Sequence, residues 1–145
     1  MSKEAKIKVK INLVEDMIFK CYMGEMKVKD CYIDDTNINE AEKLGPSPAH
    51  LLGQAILGCL SASFIFCLKK RNFTLDDLEA EAVVVIGNNE KGFVRVLKIN
   101  VKIKPKIDDP DVRKRADECK KMFEKYCTVT AAVVDGIEVN VNLDY

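Results

Sequence analysis

A chain of 145 residues, 48% hydrophobic and 32% charged, has the length and composition of one globular domain with a sizeable core, residues 1–145. Its 23 Lys and Arg balance 23 Asp and Glu, and a formal net charge of zero removes any general electrostatic attraction to nucleic acid or to a membrane surface. The opening from Met1 to Lys10 is polar and charged, with no apolar signal region, so the expected location is cytoplasmic and the six cysteines are expected to be reduced.

From Ala5 to Leu13 the odd positions are apolar, and Lys6, Lys8, Lys10 and Asn12 fill the even ones. That period of two predicts a half-buried strand. Met17–Met23 and Met26–Ile33 are read as further short strands joined by a tight turn at Gly24-Glu25. "DDTNINEAEKLGPSP" then loses periodicity and gathers turn formers. Ser47 suits a helix cap and Pro48 the first helical position, so a helix is expected from Pro48 to about Lys70.

Leu51 to Leu68 carries no charge and approaches the length of a membrane span. Gln54, Ser61, Ser63 and two glycines interrupt it, however, and alternating strands surround it. The expectation is a soluble protein whose central helix is covered on several sides.

Leu78–Ile86 and the alternating run Leu97, Ile99, Val101, Ile103 flank "GNNEKG" and predict a hairpin. Val112, Ala116, Cys119, Phe123 and Tyr126, spaced by four and three, form the apolar stripe of a surface helix. Ile137, Val139, Val141 and Leu143 predict a last strand. The order describes an α+β fold, with a mostly antiparallel sheet wrapped on a long central buried helix and a second, amphipathic helix. One such sheet cannot cover so apolar a helix alone, and a homodimer is the natural completion.

Cys21, Cys31, Cys67 and Cys119 lie on predicted strands or apolar helix stripes and are read as small packed hydrophobes. There is no Cys-x-x-Cys and one histidine, His50, so no metal site is expected. Cys59 has small neighbours, Gly58 and Ser61, and Cys127 falls where the amphipathic helix gives way to "TVTAAV". From the residues alone the two are either a redox pair or two more packed thiols.

"GPSPAHLLGQAILGCLSA", followed much later by "EKYCTVTAAV", resembles the osmotically inducible protein C (OsmC) family, which includes the organic hydroperoxide resistance proteins. The resemblance runs over nearly the whole chain, through the Pro48-x-x-Leu51-Leu52 helix start, the hairpin and the Asp-Pro-led helix from Asp109. It implies an intertwined homodimer with a cysteine pair at each of two interface sites. The thiolate at Cys59 would attack the O–O bond of an organic hydroperoxide and become a sulfenic acid. Cys127 would then condense with it to a disulfide, which an external dithiol reduces. Neither a metal nor an organic cofactor is implied.

A mid-helix cysteine gains nothing from its own helix's N-terminus, and burial disfavours its thiolate, so a cation is needed. In the family an arginine from the N-terminal strands serves, held by a glutamate ten residues before the cysteine. Here that helix position is Ala49, and no arginine precedes Arg71. His50, Glu40, Glu42 and Arg95 are the candidate supporting residues, alongside Arg113 and Lys20. The same departure supports an alternative: a non-catalytic dimer that binds a small apolar or thiol-bearing ligand or senses redox state.

Overall fold

The computed structural model describes residues 4–145. The chain divides into two compact units, one up to Leu52 and one from Gly53 onward.

In the first unit, β1 (Val9–Glu15), β2 (Ile18–Met23) and β3 (Tyr32–Asp34) form an antiparallel sheet in that order. Gly24 turns the chain after β2 at φ +62, a conformation that favours glycine. β1 alternates as the sequence predicts, yet it is exposed along its whole length, because nothing in this unit covers either face. The strand expected over Met26–Ile33 contracts to β3. Its first half makes only the Met23–Met26 bridge, and Cys31 is bonded to Cys21. Asp34, fully buried, organises the loop beyond: its carboxylate accepts from the Thr36 N–H and hydroxyl and from the Leu44 N–H. Hydrogen bonding with Thr36 and Leu44 holds that carboxyl below its ordinary 3.8 against the opposing effect of burial, and Lys43 adds to the depression.

Helix α1 (Pro48–Lys69) begins and ends where the cap, the proline and the basic residues place it. By length and composition alone it could cross a membrane, with a mean hydropathy of 2.0. Its burial is confined to one stripe, Gly53, Ile56, Leu60 and Phe64, then Cys67 and Leu68, which lie three and four positions beyond Phe64. The single chain covers one face of the helix only: Phe66, on the other face, is 62% exposed, and cover there is left to the expected partner.

The second unit adds the hairpin β4 (Leu78–Asn88) and β5 (Val94–Pro105), a two-stranded sheet of its own. The strands thus form two antiparallel sheets rather than one. Asn89 Oδ1 closes the hairpin by accepting from the N–H groups of Lys91 and Phe93. Gly53 packs so closely on β4 that a Cβ there would lie 3.0 Å from Val84 Cγ2.

Helix α2 (Pro110–Lys120) starts on Asp109, whose carboxylate accepts from the Asp111 N–H. It stops short of the predicted stripe's end. The N–H groups of Lys121 and Met122 bond three residues back, which tightens the chain into a 3-10 turn at Phe123–Tyr126. Phe64, Cys67 and Leu68 of α1 pack with Ala116 and Cys119 of α2, and Phe123 meets Phe64 edge to face with ring centres 5.5 Å apart.

Cys67 and Cys119 are joined by a disulfide, as are Cys21 and Cys31, which corrects the reading of these four as packed thiols. Their Cα separations, 5.9 and 5.2 Å, suit a bridge, and only the folded arrangement creates them. Closing a loop across 52 positions stabilises by about 4 kcal/mol in the chain-entropy account.

A third helix, α3 (Thr128–Asp135), ends at Gly136 with φ +86. Beyond it Ile137, Val139, Val141 and Leu143 are exposed and form no strand among the described residues. An alternating segment becomes a strand only beside a hydrogen-bonded neighbour, and among the described residues it has none.

Candidate functional site

The site assembles where α3 meets the middle of α1. Cys127 occupies the N-cap position of α3 and is fully buried, whereas Cys59, on α1, is half-buried. Both are free thiols, and the fold brings the two predicted site residues together. The first turn of a helix has backbone N–H groups without helical partners. One of them, Val129 N–H, donates to Cys59 Sγ at 3.4 Å. The Cys127 thiol donates to Thr130 Oγ1 at 3.1 Å.

Burial pushes the Cys127 thiol up, but hydrogen bonding with Cys59, Thr130 and Ser63 outweighs it and leaves the group below its ordinary 9.0. Ser63 stands one turn beyond Cys59 on the same helix, which is how its hydroxyl reaches the pair. The amino end of α3 also directs its positive dipole at the two sulfurs. A mid-helix thiol is thus served by the N-terminus of a different helix. Val129, Thr130 and Ser63 were not singled out in the sequence, since a backbone N–H leaves no signature in residue type. The available signal was Gly136, a helix-stop residue after "CTVTAAVVD".

The supporting candidates lie elsewhere. His50 stands three residues after the helix-capping Ser47. Ser47 N–H and Oγ lie 3.2 and 2.7 Å from His50 Nδ1, while His50 N–H donates to Ser47 Oγ. This is a reciprocal capping box with histidine in the usual Glu or Gln place. His50 Nε2 in turn meets Glu40 Oε1 at 2.5 Å. Glu42 is exposed in the 3-10 turn Glu40–Glu42. Arg95, exposed on β5, donates to the Val94 carbonyl and lies over the Phe93 ring, with no hydrogen bond to either sulfur among the described residues. No group of three or more His, Cys, Asp or Glu side chains among the described residues is placed to hold a metal.

In the same unit a cavity of about 560 Å³ has apolar walls from Leu60, Phe64, Ile103 and Phe123, with Arg113 and Lys120 also lining it.

Fold and site together describe a small α+β protein with one free thiol pair at a helix amino end. The chain belongs to the OsmC-like protein family, whose model matches residues 40–142. Among solved structures it is similar to an OsmC-like protein of Vibrio cholerae, with 11% identity over 89% of this chain and 94% of that one and a TM-score of 0.70. An OsmC-like protein from Mycoplasma pneumoniae matches at 16% identity over 97% and 96% of the two chains, TM-score 0.66. The organic hydroperoxide resistance protein OhrB of Bacillus subtilis matches at 20% identity over 89% and 90%, TM-score 0.60. No curated protein matches by sequence.

Proposed function

We propose that this chain reduces organic hydroperoxides through Cys59 and Cys127, as a single domain over residues 1–145 acting as a cytoplasmic homodimer. The observation that carries the reading is the meeting of the two free thiols at the amino end of α3, while the other four cysteines are paired. Membership of the family, and likeness in fold to a protein named for organic hydroperoxide resistance, support the substrate class.

The unequal burial of the pair supports the division of roles. Cys59 is the one a peroxide reaches, and Cys127 resolves. The Cys59 proton passes to solvent, and the Val129 N–H stabilises the thiolate left behind, while Cys127, acidified by its hydrogen bonds, is ready to give up its own proton. The Cys59 thiolate then attacks the peroxide. The O–O bond breaks, an S–O bond forms, and the departing alkoxide takes the proton from Cys127 and leaves as alcohol. Cys127 thiolate attacks the sulfenic sulfur, and hydroxide departs and is protonated to water. An external dithiol restores both thiols and is itself oxidised to a disulfide. His50 and Glu40 support the site indirectly, by fixing the start of the helix that carries Cys59.

A dimer would cover what the single chain leaves open: Val9, Ile11 and Leu13 of β1 and the alternating residues after α3. The apolar cavity favours a second reading, a dimer that binds a small apolar or thiol-bearing ligand, or senses redox state, without turnover.

Thiol titration after one equivalent of cumene hydroperoxide separates the two. Rapid loss of both free thiols in the wild type, abolished in Cys59→Ser, is the expected result. Unchanged thiols at near-stoichiometric peroxide would rule out the enzyme and leave the binding reading.

A further inference from the structure

The disulfide between α1 and α2 has a cation built onto it. Arg115 of α2 is 9% exposed, and its Nε and Nη2 donate to the Cys67 carbonyl at 3.3 and 2.9 Å. Nη1 pairs with Glu118 at 3.0 Å. Nη2 also lies 3.3 Å from Cys67 Sγ. Satisfying a carbonyl in the last turn of α1 accounts for the first two bonds. It does not account for the contact with sulfur. A bonded sulfur is neutral and a weak acceptor, and it gains little from a guanidinium. A thiolate gains a charge-assisted hydrogen bond. The position of Nη2 therefore favours Cys67 in its reduced, ionised form. Cys21–Cys31 has no cation hydrogen-bonded to either sulfur among the described residues, and it serves as an internal reference.

We propose that Cys67–Cys119 is a second redox site, a pair that exchanges reversibly with external dithiols, with Cys67 as the exchanging sulfur and Arg115 as its positioning residue. Access follows from burial. Cys67 is 7% exposed and Cys119 not at all. A depression of about 390 Å³, walled by Arg71, Phe73, Lys114 and Glu118, opens at Arg115. A reductant thiolate attacks Cys67 Sγ. The S–S bond breaks, and Cys119 departs with the electron pair and is protonated. The reductant's second thiolate then attacks its own sulfur in the mixed disulfide and becomes a cyclic or protein disulfide, and Cys67 leaves as a thiolate held by Arg115. Two electrons and one proton pass from the dithiol to the pair, and the dithiol's other proton goes to solvent. The covalent tie between α1 and α2 is thereby made and unmade, while Phe64, Leu68 and Ala116 stay in the core. This inference does not depend on the chemistry of Cys59.

The full chain carrying Cys59→Ser and Cys127→Ser tests it. Dithiothreitol reduction of each bridge is followed by alkylation and peptide mapping, in buffer without denaturant, against the rate of global unfolding. The bridge to Cys119 is expected to open faster than the protein unfolds, and Cys67 is expected to alkylate at lower pH than Cys119. Arg115→Met should slow the opening about tenfold and raise the Cys67 alkylation midpoint by about one pH unit, with Arg115→Lys restoring part of both. Opening only at the unfolding rate, or an Arg115→Met protein with wild-type rate and midpoint, would overturn the proposal. If Arg115→Met does not fold, the comparison of opening with unfolding in the Cys59→Ser, Cys127→Ser protein decides alone.

Discussion

The backbone N–H of Val129 points at Cys59 Sγ across 3.4 Å, so the first turn of α3 supplies to a thiol on α1 what a side-chain cation would otherwise supply. Proline is tolerated in the first turn of a helix, and it lacks the donor. Val129→Pro is expected to keep α3 while slowing cumene hydroperoxide consumption roughly tenfold or more, the scale of one hydrogen bond to a charged group. Val129→Ala, which keeps the N–H, should react at the wild-type rate in stopped-flow measurement.

Cys127 titrates below its ordinary 9.0 in the folded chain. An acid depressed by folding stabilises the native state above its unfolded pKa, and that contribution is lost as pH falls through the folded value. With the free pair reduced, stability should therefore rise as pH climbs toward 9.0. Thr130→Val together with Ser63→Ala removes two of the depressing partners. The Cys127 midpoint, followed by thiolate absorbance, should move up in that variant and the rise in stability should flatten.

Leu68 is fully buried between α1 and α2. Leu68→Ala is expected to cost about 2–5 kcal/mol in urea unfolding, the range for a leucine deleted from a packed core. An effect below about 1 kcal/mol would show that the site collapses freely.

Ser47 and His50 satisfy one another's backbone N–H groups at the start of α1. Ser47→Ala should destabilise by about 1 kcal/mol. His50→Gln should be milder than His50→Ala, because glutamine at this position can accept from the Ser47 N–H and alanine cannot. Chemical denaturation of the three variants orders them.

A homodimer should elute and sediment at twice the 16.3 kDa of the chain. A single-chain mass at micromolar concentration would refute it. If the dimer forms over the exposed apolar alternation, Val139→Asp should weaken it, since the side chain is 76% exposed in the single chain and would become buried against the partner.

Much of the local structure follows from sequence alone, because caps and periodicity act within a few residues. Ser47-Pro48 and Lys69 bound α1, Asp109-Pro110 starts α2, and the alternation around "GNNEKG" makes the hairpin. Their neighbours set Cys59 and Cys127 apart from the other four cysteines, and the resemblance to the OsmC family gave them their expected roles. "CTVTAAVVDG" escaped it: its β-branched residues resemble a strand, and the helix shows only in the Gly136 stop and the fold that places Cys127 at its cap. Alternation in the last segment was legible, but whether it pairs depends on a neighbour that no local pattern names. Tertiary structure alone decided which cysteines bond. Cys67 and Cys119 stand 52 positions apart, and they meet only because α2 packs its buried stripe on α1. It also decided what Cys59 faces, because the donor is a backbone group whose direction is set by where a distant helix begins.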